Sequence, residues 1–262
     1  MTLQEYTLRA SVDRGETFRD GSPAVTALAY FFRDATNYDE KFLHLQGALL
    51  ETWRHCGKLK TVVVTNQIGA ALAQFAARYP WVEVQVEPSL VPGDINTMSV
   101  DCNSKLGDRF STPYVLTIQE DGFPLRDGLE AFLGMGYDYI GAPYVRDRFL
   151  PRLLAKTFNH WTMNGGFSLR SHRVCEWAAR CWRDKYHACG DGHAVVDDIY
   201  YTQTLIRREH AYRRTMRFPE NREALLFSYD AIVPFGVREL PFGFHRASSF
   251  EALRTKFGKG CP

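Results

Sequence analysis

Short apolar runs that stop on polar residues recur along the first half of the chain. Stretches with helical spacing separate them. Ala24 to Phe32 ends on Arg33 and Asp34, and Thr61 to Thr65 ends on Asn66 and Gln67. Trp81 to Val86 alternates, and Pro113 to Ile118 ends on Gln119, Glu120 and Asp121, just before Gly122 and Pro124. Runs of this length, rich in β-formers and bounded by turn residues, predict strands, most of them buried on both faces. Between the first two, Phe42, Leu45, Leu49 and Trp53 recur at helical period. Asn37 or Asp39 suits the N-cap of that helix, and Gly57 stands in the usual place past its end. A second helix is expected from Ala70 to Arg78, stopped by Pro80. Val91 to Asp94 reads as a turn, and a third helix is expected from Ser99 to Arg109. The order β-α-β-α-β-α-β requires right-handed crossovers and gives an α/β domain, a mostly parallel central sheet with helices on both faces.

After Asp121 the pattern loosens. A helix is expected around Asp127 to Leu133, then a broken strand from Tyr137 to Pro143. Residues 146–162 mix basic, aromatic and proline residues without a period, as a mobile loop over a site would. Asn164-Gly165-Gly166 reads as a hard turn into a strand Phe167 to Arg170. Helices are expected at 172–187 and from Asp197 through Arg208, and an amphipathic tail closes the chain. Residues 1–22 read as a loose polar leader with no apolar signal-peptide segment.

Composition narrows the function classes. With 262 residues the chain forms one large domain or two small ones. A net charge of +2 argues against wrapping a nucleic acid. The basic cluster Arg207, Arg208, Arg213, Arg214 and Arg217 suits a solvated helix face, or an anionic surface. The longest apolar run is too short to span a bilayer, so a soluble protein is expected, with contact at a membrane surface still open. Six cysteines (Cys56, Cys102, Cys175, Cys181, Cys189 and Cys261) contain no Cys-x-x-Cys pair. The spacing of Cys175, Cys181 and Cys189 near His172 and His187 fits no zinc finger or ribbon. Reduced, buried thiols and a cytoplasmic location are the simpler expectation.

Candidate chemistry gathers at the strand ends. In open α/β sheets ligands bind at the carboxyl edge, where Gln119, Glu120 and Asp121 end the fourth strand. Oxygen ligands there suit a hard divalent cation that also binds phosphate. A capped strand end with a solvated acidic turn would present the same residues. Asp34, Thr65 and Asn66 end the first two strands on that edge. Asp197 and Asp198 open a helix, where its dipole favours their ionised forms, while their mutual repulsion raises one pKa. Simple N-capping also fits them. His245, between Phe244 and Arg246, is compatible with a packed histidine.

Several stretches, in order, resemble one family. They are Gln119-Glu120-Asp121, Tyr139-Ile140-Gly141-Ala142-Pro143, Asn164-Gly165-Gly166-Phe167-Ser168-Leu169-Arg170-Ser171, Asp197-Asp198-Ile199-Tyr200 and Gly243-Phe244-His245. Together they resemble a bacterial and viral family of glycosyltransferase-like proteins with the GT-A fold, over residues 24–247. The resemblance implies one catalytic domain over residues 1–262. Residues 24–125 would bind a nucleotide-sugar, residues 126–247 would hold the acceptor and the catalytic groups, and 248–262 would form a tail. It implies a nucleoside-diphosphate sugar donor, UDP being the commonest in the fold, a Mn2+ or Mg2+ cofactor, and a glycan or lipid-linked glycan acceptor. Asp121 matches the second aspartate of the family's acidic motif and His245 its late metal histidine. Gln119 stands where the first aspartate is usual, which weakens the match to a metal site. Asp198 is then the expected base for an inverting transfer, with Asp197 binding the acceptor or holding the loop. Asn164, Gly165 and Gly166 would let the backbone approach the sugar, Trp161 would stack on it, and Lys105 would reach the diphosphate or ribose. The same motifs leave open a degenerate nucleotide-sugar or glycan-binding module, and, less well supplied with carboxylates, a metal-dependent phosphoesterase or nucleotidyltransferase.

Overall fold

The computed structural model describes residues 2–12, 17–143, 163–186, 196–230 and 239–258. Its centre is a six-stranded sheet of β1 (Val25–Phe31), β2 (Lys60–Thr65), β3 (Val82–Val86), β4 (Tyr114–Ile118), β5 (Tyr139–Pro143) and β6 (Met163–Ser171). The order is β3-β2-β1-β4-β6-β5. The first four strands pair in parallel, and β6 runs antiparallel between β4 and β5. The α/β class and the mostly parallel sheet expected from the apolar runs are what the chain adopts.

Alternation along each strand divides the core in two. On β1, Val25, Ala27, Ala29 and Phe31 enter one cluster and Leu28 the other; on β2, Val63 enters the first, Val62 and Val64 the second. A strand buried on both faces needs apolar residues at every position, hence the continuous runs. The first face is covered by α1 (Leu3–Ala10), α2 (Tyr38–Cys56) and α3 (Ala70–Arg78), which supply Leu3, Phe42, Leu45, Leu49, Trp53, Leu72 and Phe75. The second is covered by α4 (Ile95–Lys105), the helix His172–Cys181 and the helical stretch from Asp197 to Arg208, through Met98, Cys102, Val174, Tyr201 and Leu205. Each such side chain fully buried is worth about 1.5–3 kcal/mol.

Three local expectations are corrected. The leader contains α1, opened by a Thr2–Glu5 capping box. It lies against α2, where a Cβ on Gly47 would stand 2.2 Å from the Thr7 carbonyl oxygen. Its inward positions are Leu3, Thr7 and Ala10, one of them polar and one small, so the stripe carries little hydrophobic signal. The helix expected from Ser99 begins at Ile95, because Asp94 caps it through a 2.9 Å bond from the Asn96 N–H. Asn164, Gly165 and Gly166 lie inside β6 and form no turn, and neither glycine has a positive φ.

Beyond β6, the helix His172–Cys181 passes into a π-helical turn, Trp182–Tyr186. The loop 146–162 with Trp161, and His187, Cys189 and Cys261, lie outside the described residues. Cys56, Cys102, Cys175 and Cys181 are free and buried. Two short parallel strands, β7 (Ser228–Asp230) and β8 (Gly243–His245), form a second sheet. β8 docks on the chain just past β4: Leu125 N–H donates to the Phe242 carbonyl at 2.7 Å, and Pro124 bridges to Gly243. That docking brings the end of β8 to the carboxyl edge of the large sheet. No helix among the described residues is long and apolar enough to cross a membrane.

Candidate functional site

The end of β4 turns sharply. Gln119 and Gly122 exchange both backbone hydrogen bonds at 3.0 Å, which leaves Glu120 and Asp121 at the tip. The Arg246 N–H donates to the Asp121 carbonyl at 2.7 Å, locking β8 against this tip. His245 thereby faces β4, its Nε2 3.0 Å from Gln119 Oε1 and 3.6 Å from Asp121 Oδ1. The imidazole is nearly buried, whereas the Asp121 side chain is 39% exposed. An exposed carboxylate beside a seated imidazole leaves one side of the pair open to a ligand.

Gly166 explains how these groups come so close. A Cβ there would lie 2.3 Å from His245 Nε2 and 2.5 Å from Gln119 Oε1. The glycine is required for room, since its backbone is one that any residue can adopt. Asn164 Oδ1 accepts from the Gly166 N–H at 2.6 Å and fixes this stretch of β6. Behind the imidazole stands Asp230, its side chain wholly buried, with Oδ1 3.5 Å from His245 Nδ1 and 2.9 Å from Arg246 Nε. Asp230 lies opposite His245 in the β7–β8 register. Sequence reasoning missed it; the signal was a carboxylate ending the short apolar-flanked run Ser228 to Asp230.

Gly165, next along β6, faces a different group. A Cβ there would meet Asp197 Oδ2 at 2.5 Å and Arg170 Nη2 at 2.6 Å. Neighbouring residues on a strand point to opposite faces, so this group and the His245 group flank β6 from its two sides. Arg170 is 1% exposed and bonds Asp197 Oδ2 at 2.7 Å. Its guanidinium lies between the rings of Tyr139 and Tyr201, 5.0 and 4.8 Å from their centroids, and donates to Ser168 Oγ and the Gly165 carbonyl. Burial pushes the Cys102 thiol well up, so it stays protonated with its Sγ 3.6 Å from Asp197 Oδ2. Asp197 is therefore committed to a buried ion pair. Asp198 is also buried, and its Oδ1 accepts from the Ile199 N–H at 2.6 Å.

The ends of β1 and β2 are stitched together. Asn66 accepts from the Arg33 N–H and donates to the Arg33 carbonyl, each at 3.2 Å, and Gln67 Nε2 donates to the same carbonyl at 3.0 Å. The Arg33 guanidinium reaches across the edge to Glu120 Oε1 at 2.9 Å, with both side chains about a third exposed. Arg33, the first charged residue after an apolar run, joins the three strand ends. Asp34, beside it, is exposed. The Thr65 hydroxyl is occupied by Tyr38 and the Gln67 carbonyl. Lys105 pairs with Glu87 at 2.8 Å. Hydrogen bonds from Lys105, then Ser89, with Arg109 adding to them, hold the Glu87 carboxyl down to about 2.

Among the described residues, no group of three or more His, Cys, Asp or Glu side chains is arranged to hold a metal ion. Asp121 and His245 alone supply one oxygen and one nitrogen, 3.6 Å apart and facing each other. Two such donors fit a Mg2+- or Mn2+-type cation whose other ligands are phosphate oxygens and water.

Residues 94–245 match a family model described as a protein of unknown function, DUF5672. The chain belongs to this family. The match opens on Asp94, the cap of α4, and closes on His245, so the DUF5672 region holds β4, β6, β8 and the whole group around Gly166. No curated protein matches the chain. Among solved structures it is similar to the mannosyltransferase PcManGT from Pyrobaculum calidifontis, in complex with GDP-Man and Mn2+, at 16% identity and a TM-score of 0.38. That likeness covers 67% of this chain and 53% of that one. Mouse xyloside xylosyltransferase 1 is similar at 12% identity and a TM-score of 0.47, over 84% of this chain and 97% of that one. The mannosyltransferase Ktr4p from S. cerevisiae, in complex with GDP, is similar at 9% identity and a TM-score of 0.43, over 76% and 71%. The chain spans about half the length of the first of these.

Proposed function

We propose that this DUF5672 protein is a glycosyltransferase of the GT-A type. It would move a sugar from a nucleoside-diphosphate donor, UDP being the first to test, to a hydroxyl of a glycan or lipid-linked glycan. The observation that carries the reading is the convergence of Gln119, Asp121 and His245 over Gly166 at the carboxyl edge of a parallel sheet, where such folds bind nucleotides. In this reading Asp121 and His245 hold a divalent cation, which when bound offsets charge on the departing diphosphate. The stitched ends of β1 and β2, with Asp34, Asn66 and Arg33, form the floor for the nucleoside. The backbone at Asn164, Gly165 and Gly166 faces the sugar.

The acceptor oxygen forms the new bond to the anomeric carbon as the bond to the diphosphate oxygen breaks, with the electron pair leaving on the diphosphate. The hydroxyl proton passes to a carboxylate. In this reading Asp198 is the base, and Asp197, bonded to Arg170, has a holding role. Attack from the face opposite the leaving group inverts the anomeric centre; a product with the donor's configuration would rule that out.

The experiment is calorimetric titration of a nucleoside-diphosphate panel, with Mn2+ and with chelator, on wild type and Asp121→Ala. Metal-dependent binding of one nucleotide that falls at least tenfold in the variant is expected. Binding indifferent to metal and variant would favour a donor-binding module without turnover. No nucleotide binding at all ends the transferase reading.

A further inference from the structure

His245 is seated by contacts on both sides of its ring, and the inner side is the less explained. Nδ1 is buried and makes no hydrogen bond. A buried polar atom without a partner costs about 1–3 kcal/mol, so a group placed to satisfy it is informative. The carboxylate facing it is Asp230, with Oδ1 3.5 Å away and a side chain at 0% exposure. Asp230 Oδ1 also lacks a well-aligned hydrogen bond, although Arg246 Nε lies 2.9 Å from it. Its other oxygen, Oδ2, receives Asn164 Nδ2 at 3.4 Å. Asn164 is the residue whose Oδ1 fixes the Gly166 N–H.

The backbone reinforces the placement. Arg246 has φ 76 and ψ 144, a positive φ found at no other non-glycine residue among those described. A non-glycine residue in that region costs of order 1–3 kcal/mol and persists only where its surroundings over-determine it. Here the surroundings are the Arg246 N–H on the Asp121 carbonyl and the Arg246 guanidinium on Asp230. The strained residue therefore ties the tip that carries Asp121 to the carboxylate behind His245.

We infer that Asp230 is the positioning residue of this site: it accepts the Nδ1 proton of His245 in a hydrogen bond and so leaves the Nε2 lone pair facing Asp121 and Gln119. This rests on the reading of Asp121 and His245 as cation ligands. A ligating histidine commonly gives its other ring N–H to a carboxylate, which fixes tautomer and ring orientation. In this tautomer Nε2 accepts, which requires the Gln119 amide, whose Oε1 stands 3.0 Å from Nε2 in the structure, to be turned so that its NH2 faces the ring. Gln119 would then hold the ring in this orientation, and Asp121 and His245 would be the residues to hold a cation. This gives the glutamine a task that an aspartate at that position would not perform.

The test uses the whole protein labelled with 15N-histidine. Long-range 1H–15N spectra of the metal-free protein report which ring nitrogen of His245 carries the proton, assigned by comparison with His245→Gln. The expected result is the Nδ1–H form in wild type, and a shift toward Nε2–H, or a mixture, in Asp230→Asn. An Nε2–H ring in wild type overturns the inference, and so does an unchanged tautomer in a folded Asp230→Asn variant. The wild-type spectrum decides even if that variant does not fold. Mn2+ titration followed by electron paramagnetic resonance adds the second readout, with an affinity loss of about 10–100-fold expected in Asp230→Asn. Equal Mn2+ affinity in the two proteins counts against Asp230. A wild type that binds no Mn2+ overturns the cation reading of Asp121 and His245, while the tautomer still judges the Asp230–His245 contact.

Discussion

Gly166 shows how much one missing side chain decides. Its hydrogen stands where any Cβ would strike both His245 and Gln119. Gly166→Ala must push the imidazole or the amide away, at the cost of about 1–3 kcal/mol typical of an overfilled site. Nucleotide and Mn2+ titrations are expected to show weaker binding in that variant, with the sheet itself intact by circular dichroism. Gly134, with open space around its Cβ position, is the control, and its alanine variant should bind as wild type does. Equal binding by both variants would mean that the ring and the amide need not touch for the site to work. The sequence marked Asn164-Gly165-Gly166 as special, but its dipeptide signal reads as a turn. The reason for the glycines is side chains arriving from β4 and β8, far along the chain, which no local pattern carries.

Among the elements, β6 is the one that the rest of the site leans on. Among the described strands of the large sheet it alone runs against two neighbours, and its two glycines accept the His245 group and the Asp197 group from opposite sides. The Arg170–Asp197 pair fastens it to the helical stretch that begins at Asp197. Removing one member of a buried pair strands the other, at about 3–5 kcal/mol, whereas removing both costs much less. Chemical denaturation of Arg170→Met is expected to show a loss in that range, and Arg170→Met with Asp197→Leu a clearly smaller one. The strands were legible because both of their faces are buried, and the helices α2 and α3 because their apolar positions recur at helical period. The direction of β6 was not, since a run such as Phe167 to Arg170 reads the same in either direction. Nor was α1, whose inward face holds a threonine and an alanine. The pairing of Asp197 with Arg170 was not legible either, because the fold alone brings that partner to it.

For the molecule as a whole, the ionic cluster beyond β3 contributes a pH-dependent part of the stability. Glu87 is bound by Lys105, Ser89 and Arg109, and Arg109 also grips the buried Asp101. The Glu87 carboxyl titrates near 2 in the folded chain instead of the ordinary 4.5. A depressed folded value contributes stability above the unfolded value and loses it as the pH falls through the folded one. Melting temperatures of wild type and Glu87→Gln should therefore differ at pH 7 and draw together between about 4.5 and about 2; a constant gap across that range would contradict it. The site has a different dependence on the whole. Gln119 and His245 are 126 residues apart in sequence, so closing that contact carries the entropic cost of a long loop. During synthesis β1 to β4 precede β8, so the edge has no His245 until the last of these strands has been made. A nascent or truncated chain that ends before β8 would thus lack the imidazole that Gln119 and Asp121 meet, and this edge of the sheet would stay incomplete until the second half had docked.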